Sequence, residues 1–296
     1  MNDAEIVAAA RETQHRTQLC TVSLKQSSRD VIRVWRLTVV DLGIKGKVAL
    51  VCASTSGLGK AVAKSLAYEG ARVVVSGHQP NRLQSTVDEV PGSVGVLADY
   101  VERGAARKLF EEVTNTVGRP EILILNGPGP VPLDALEVNR DQIDGAVETL
   151  VHFHVELTNL VLPHMKDINW GRIVAIGSSG IIEPIAGLAL SNMFRSALAS
   201  YLKTLATEVA SQGITVNLVV PGRISTERTE TIDLSRATKE DITLDGVRNR
   251  ALELIPIKRY GEPEEFAAVV CFLCGIQAAY VTGSMLRCDG GLIRST

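Results

Sequence analysis

Aromatic side chains are scarce in this chain, at 4% of its 296 residues, and neither sign of charge dominates: 31 lysines and arginines face 33 aspartates and glutamates, for a formal charge of −2. Without a cationic excess there is no electrostatic footprint for nucleic acid or for an acidic membrane surface. No apolar run reaches bilayer length once its interrupting polar residues are counted. The five cysteines, Cys20, Cys52, Cys271, Cys274 and Cys288, are too sparse for a secreted disulfide framework, so a reducing, cytoplasmic setting is expected. Cys271-x-x-Cys274 has the spacing of a redox or zinc pair. It sits in an apolar helical run with no second Cys/His pair at metal spacing, and it reads as helix packing. No metal site is expected.

The first 40 residues lack glycine, a secretory hydrophobic stretch and any organised periodicity, and Asp3, Glu5, Glu12 and Asp30 argue against a transit peptide. Two readings stay open: a poorly ordered tail, or upstream sequence translated from a start assigned too early. On either, residues 1–44 are an N-terminal extension expected to contribute nothing to activity, and a single domain spans 45–296.

From residue 47 onward, short β-branched runs alternate with helix-length amphipathic segments. Strands are predicted at 48–52, 72–76, 93–98, 122–125, 172–176, 215–220 and 285–288. Helices are predicted at 59–68, 82–90, 103–117, 140–165, 191–211 and 263–274. This alternation predicts an α/β fold, a doubly wound parallel sheet of about seven strands. The strands read as apolar throughout, as burial of both sheet faces requires.

The first strand runs directly into Ala53-Ser54-Thr55-Ser56-Gly57-Leu58-Gly59, and a helix follows. In that context the backbone N–H groups of Thr55, Ser56, Gly57 and Leu58 and the helix N-terminus face a pyrophosphate, which marks a Rossmann-type dinucleotide site. The second strand ends in Ser76-Gly77-His78-Gln79-Pro80-Asn81-Arg82. It carries no acid to hold a ribose 2′-hydroxyl, and His78 and Arg82 are the nearest cationic groups, so NADP is favoured over NAD.

These motifs resemble those of the short-chain dehydrogenase/reductase family over about 250 residues, and in particular 3-oxoacyl-carrier-protein-reductase-like members. The family's Thr-Gly-x-x-x-Gly-x-Gly stands here with Cys52-Ala53 in place of its leading pair. Alanine there is expected to need a negative φ. The resemblance implies that Asp99 contacts adenine, that Asn126 closes the fourth strand, and that Pro221-Gly222-Arg223-Ile224-Ser225-Thr226 frames the nicotinamide through Pro221, Gly222, Ile224 and Thr226. Tyr280-Val281-Thr282-Gly283 and Asp289-Gly290-Gly291 are similar to the family's closing strand.

The family's catalytic set is Ser, Tyr, a Lys four residues on, and Asn. Ser178 fits the serine. Thirteen residues later stands Ser191 where the tyrosine belongs, and Arg195 occupies the lysine position, while the asparagine position falls near Leu150. Spacing of four places Ser191 and Arg195 on one helix face, toward the cofactor. Arg195 keeps a permanent charge and can bond the ribose, but it cannot relay protons as lysine can.

His152 and His154, two apart on a helix, point to nearly opposite sides and read as no metal pair. Tyr201 is too far along its helix to replace Ser191, and Tyr260 reads as loop packing. The charged stretch 223–250 is either a solvated face or, as the resemblance implies, a mobile lid whose Arg223 and Arg228 meet an anionic substrate. Two functions follow. One is an NAD(P)-dependent oxidoreductase moving hydride to or from a small organic substrate, a carbonyl, alcohol or activated alkene, with Ser178 polarising it and the proton coming from water, Ser191 or the substrate itself. The other is a dinucleotide-binding sensor or oligomer partner without turnover. The resemblance also implies a homo-oligomer, dimer or tetramer, formed through the long helices at 140–165 and 191–211.

Overall fold

The computed structural model describes residues 41–295, so the reading of the first 40 residues lies outside the described residues. Along the chain run β1 (Val48–Val51), α1 (Gly57–Tyr68), β2 (Arg72–Gly77), α2 (Pro80–Glu89), β3 (Val94–Leu97), α3 (Ala105–Thr116) and β4 (Ile122–Leu125). There follow α4 (Arg140–Val147), α5 (Phe153–Asp167), β5 (Gly171–Ile176), α6 (Ala189–Val209) and β6 (Ile214–Pro221). The last elements are α7 (Glu227–Glu240), α8 (Leu244–Leu254), α9 (Pro263–Cys274) and β7 (Met285–Cys288).

All seven strands are parallel, in the order β3-β2-β1-β4-β5-β6-β7. The chain moves outward from β1 to β3, then returns to lay β4 against the other side of β1. A crevice opens at that reversal, beyond the carboxyl ends of the strands. Alternation along each strand divides the core between two sheet faces. Leu50 and Leu123 pack with Leu109, Leu157 and Leu205 on one face. Ala49, Val51 and Ile124 pack with Leu66, Val270 and Phe266 on the other. Cys271 and Cys274 belong to this second layer, and burial pushes the Cys271 thiol up to about 11, so the pair is chemically inert packing.

Two expectations are corrected, and one open segment gains a structure. Burial of both faces does not extend to the sheet edges: β3 and β7 are partly exposed, because each has a neighbour on one side only. The predicted helix at 140–165 is interrupted by a π-helical segment, Glu148–His152, in which the Phe153 N–H donates to the carbonyl of Glu148, five residues back. The charged stretch after β6 folds into α7 and α8, capped by Thr226 and Thr243, whose hydroxyls accept from the N–H groups of Thr229 and Gly246.

Candidate active site

Just beyond the paired carboxyl ends of β1 and β4, a side chain ties the two following turns together. Asn126 donates from Nδ2 to the Ala53 carbonyl at 2.9 Å. Ala53 itself has φ +43°, against the expected negative value. The left-handed region costs an alanine about 1–2 kcal/mol, and bonds at both ends of the residue hold it there. Its N–H donates to the Tyr100 hydroxyl at 2.5 Å, while its carbonyl accepts from Asn126. The Tyr100 hydroxyl pairs with Ser76 Oγ at 2.7 Å, and Ser76 Oγ donates to the Val51 carbonyl at 3.1 Å. Ser54 Oγ also donates to Val51 and accepts from the Ser76 N–H. Every polar group in this buried knot is thereby satisfied.

The knot sets the turn for a ligand. Gly57 has φ +50°, and a Cβ at Gly59 would stand 2.5 Å from the Ala53 carbonyl, so the helix can approach the strand this closely only with glycine there. Ser56, at the N-cap of α1, makes no side-chain cap bond. The first N–H groups of the helix are left to meet an anion.

Above this turn lies a cleft of about 720 Å³. Thr55, Ser56, Gly57, Leu58, His78, Asn126, Ser178, Ser191, Arg195, Pro221, Gly222, Ile224 and Thr226 all line it. Gly59 and Asp99 do not: Gly59 packs beneath the turn, and Asp99 is exposed and accepts from the Val101 N–H. Tyr100, the residue after Asp99, faces the cleft instead. Sequence reasoning missed it because its role depends on the distant Ala53 and Ser76. An aromatic beside the family's aspartate was its only local signal.

Ser178 caps the turn after β5, and its Oγ accepts from the Gly180 N–H at 3.1 Å. No described residue accepts its hydroxyl proton in return, so Ser178 can donate into the cleft. Ser191 is buried in the first turn of α6 and lines the same space. One turn on, Arg195 donates to the Ile176 carbonyl at 3.0 Å. Burial, with the Arg228 charge nearby, pushes its guanidinium down to about 10, so it remains a cation at neutral pH.

Among the described residues Tyr100 is the single tyrosine lining the cleft. Burial drives its phenol well above the usual range, and its hydroxyl is already engaged by Ala53 and Ser76. It offers no proton. Tyr201 donates to Asn159 Oδ1 at 3.4 Å, outside the cleft. Tyr260 does more than pack a loop: it donates to Asp233 at 2.9 Å and lies under the Arg223 guanidinium. Asp233, 1% exposed, also pairs with Arg223, so Arg223 is held by the protein and is not available to an anion in the way Arg228 is. Arg82 is likewise committed, to Glu227 at 2.9 Å.

His152 is exposed and paired with Glu148 at 3.0 Å, whereas His154 is buried behind Gly127. The His154 Nδ1 lies 3.2 Å from the Leu150 carbonyl, which only accepts, so this nitrogen carries the proton. No cluster of metal-ligating side chains occurs among the described residues, and no described helix is long and apolar enough to cross a membrane.

Known proteins resemble this chain over most of its described length. Residues 52–293 match a family model described as Enoyl-(Acyl carrier protein) reductase. A 3-oxoacyl-acyl-carrier-protein reductase of Aquifex aeolicus is 32% identical, over 86% of this chain and all of that protein. Dehydrogenase/reductase SDR family member 4 of Sus scrofa is 31% identical, over 84% of this chain and 88% of its own length. The L-sorbose reductase of Gluconobacter frateurii, solved with NADPH and L-sorbose, superposes with a TM-score of 0.81 at 30% identity, covering 86% of this chain and all of that one. Sharing this fold and this span of sequence with oxidoreductases, the chain belongs to the short-chain dehydrogenase/reductase family.

Proposed function

We propose that this protein is a reductase that uses NADPH to reduce a small organic substrate, a carbonyl compound or an activated alkene. The observation that carries this reading is a single cleft lined both by the glycine turn and by Ser178, Ser191 and Arg195. The residues fit a dinucleotide: the turn keeps free N–H groups at a helix N-terminus, and Gly59 leaves no room for a side chain beneath it. Preference for the 2′-phosphorylated cofactor rests on the end of β2, where His78 lines the cleft and no carboxylate follows the strand. The related L-sorbose reductase, solved with NADPH, supports it. Asp99, outside the cleft, is proposed to meet adenine at the surface.

When bound, the nicotinamide supplies a hydride. The protein's own part is to position the acceptor and manage charge. Ser178 donates a hydrogen bond to the substrate oxygen, and Arg195 holds a fixed positive charge beside the reacting region. Ser191 replaces the family's phenol with a far weaker acid. The proton is therefore taken from water admitted to the cleft, or negative charge on the product is borne by Arg195 until release.

Titration of the protein with NADPH and NADH by fluorescence tests the cofactor, with NADPH expected to bind more tightly. NADPH oxidation against ketones, quinones and activated alkenes tests turnover. Restoring the acid pair with Ser191→Tyr and Arg195→Lys is expected to raise ketone reduction about 10²-fold or more, the usual worth of a positioned general acid. A folded, NADPH-binding double variant without any gain would remove the missing acid from the account. The engaged Tyr100 hydroxyl favours a second reading, a dinucleotide-binding protein without turnover, which the same substrate panel separates from the first.

A further inference from the structure

Five arginines and three glutamates line the cleft, and they are not evenly matched. Arg250 pairs with Glu240, Arg223 with the buried Asp233 outside the lining, and Glu227 with Arg82. Three guanidinium groups remain without an ion pair among the described residues. Arg195 reaches only the Ile176 carbonyl, Arg228 reaches only the Pro130 carbonyl at 3.0 Å, and Arg236 is half-buried. Arg236 feels Asp233 and Glu240 only at longer range, and burial lowers its pKa and that of Arg228. Glu183, exposed on the rim, is the lone cleft carboxylate left to oppose them.

Half-buried cations without counter-ions, as Arg195 and Arg236 are, are unfavourable, and repulsion between Arg195 and the more exposed Arg228 adds to the cost. Such a set persists where a ligand neutralises it. Beside the arginines stands an apolar wall from the two helices after β6, with Ile232, Val247, Ala251 and Leu254. We propose that the substrate is a carboxylate with an apolar body, its carboxylate bound by Arg228 and Arg236 and its body laid on the α7–α8 wall. Guanidinium forks bind carboxylates with paired, charge-assisted hydrogen bonds, which a neutral ester cannot reproduce. This assignment rests on the reductase reading for its place in the reaction, but its chemistry is tested separately.

The cofactor's own phosphates are the other anions these arginines could meet, and the experiment distinguishes the two. Calorimetry on the NADPH-loaded protein compares benzoylformate, 4-phenyl-2-oxobutyrate and cinnamate, each beside its methyl ester. At least one acid is expected to bind about 10-fold or more tightly than its ester. Arg228→Gln and Arg236→Gln are each expected to cut that preference by roughly 3- to 10-fold while NADPH affinity moves less than about 3-fold, and Arg236→Lys to retain part of it. Equal affinity for acids and esters, or no binding of any acid, overturns the inference. So does loss of NADPH affinity in the variants with the acid preference intact, which assigns the arginines to cofactor phosphate. Failure of the wild-type protein to bind NADPH overturns the cofactor reading instead. The same acid–ester comparison on the cofactor-free protein then still decides the arginine assignment.

Discussion

Ala53 holds a backbone conformation that costs it energy, and the price is met by Tyr100 and Asn126 at its two ends. Ala53→Gly removes the strained methyl and is expected to stabilise the protein by about 1 kcal/mol, a rise in Tm of roughly 2–4 °C. A calorimetric scan checks it, and an unchanged Tm would show that the greater freedom of glycine in the unfolded chain cancels the gain. Tyr100→Phe acts in the opposite direction. It strands the Ala53 N–H in a buried site, at about 1–3 kcal/mol, and should weaken NADPH binding as the turn loosens. Urea unfolding beside a cofactor titration reads both effects.

His154 makes stability depend on pH. Burial, reinforced by the Arg195 charge, lowers its pKa from 6.5 to about 4, with the carbonyls of Asn126 and Leu150 opposing. Between those two values the unfolded chain binds the extra proton and the folded one does not. Stability from this residue is therefore complete above about pH 6.5 and is lost as pH falls toward 4, a change on the order of 3 kcal/mol. His154→Gln should flatten the slope of unfolding free energy across that window. An unaltered slope would place the acid sensitivity elsewhere.

Among the elements, α4 to α5 and α7 to α8 depart most from local expectation. The π-helical turn at Glu148–His152 carries Leu150, buried, where the family resemblance placed an asparagine, and it brings His154 beneath Gly127 at the end of β4. Thr149 bonds back to the carbonyls of Gly145 and Ala146, a pattern that bends helices. Helix α7 is fastened to the loop after β6 by Asp233, which engages Arg223 and Tyr260 at once. Asp233→Ala leaves a cation and a phenol without their shared acceptor, a loss of about 3 kcal/mol or more. Hydrogen exchange is expected to speed up across residues 227–254 and to stay slow in β1, β4 and β5. Uniform protection would mean that the apolar face of α7 and α8 suffices to hold them.

For the whole molecule, the described fold begins with a short anchor. The Leu42 carbonyl accepts from the Ile276 N–H, and Ile44 is fully buried against the α1–α9 layer. A chain starting at Asp41 is expected to fold and to bind NADPH like the full chain. One starting at Gly46 loses the buried Ile44 and about 1.5–3 kcal/mol with it. Thermal unfolding of both, with NADPH titration, checks this; a chain from Asp41 that fails to fold would give the first 40 residues a structural part.

Residue order alone dictates the α/β alternation, the glycine turn, the place of Ser178 after β5 and the i, i+4 spacing of Ser191 and Arg195. Each of these depends on spacing within one strand, turn or helix, where periodic burial and backbone geometry are written locally. The strain at Ala53, the part played by Tyr100, the holding of Arg223 by Asp233 and the unpaired state of Arg228 and Arg236 belong to tertiary structure. Their partners lie far apart along the chain, 47 residues for Ala53 and Tyr100 and 73 for Ala53 and Asn126. Only the packing of the parallel sheet decides which polar groups meet, and so which charges at the cleft are left for a ligand.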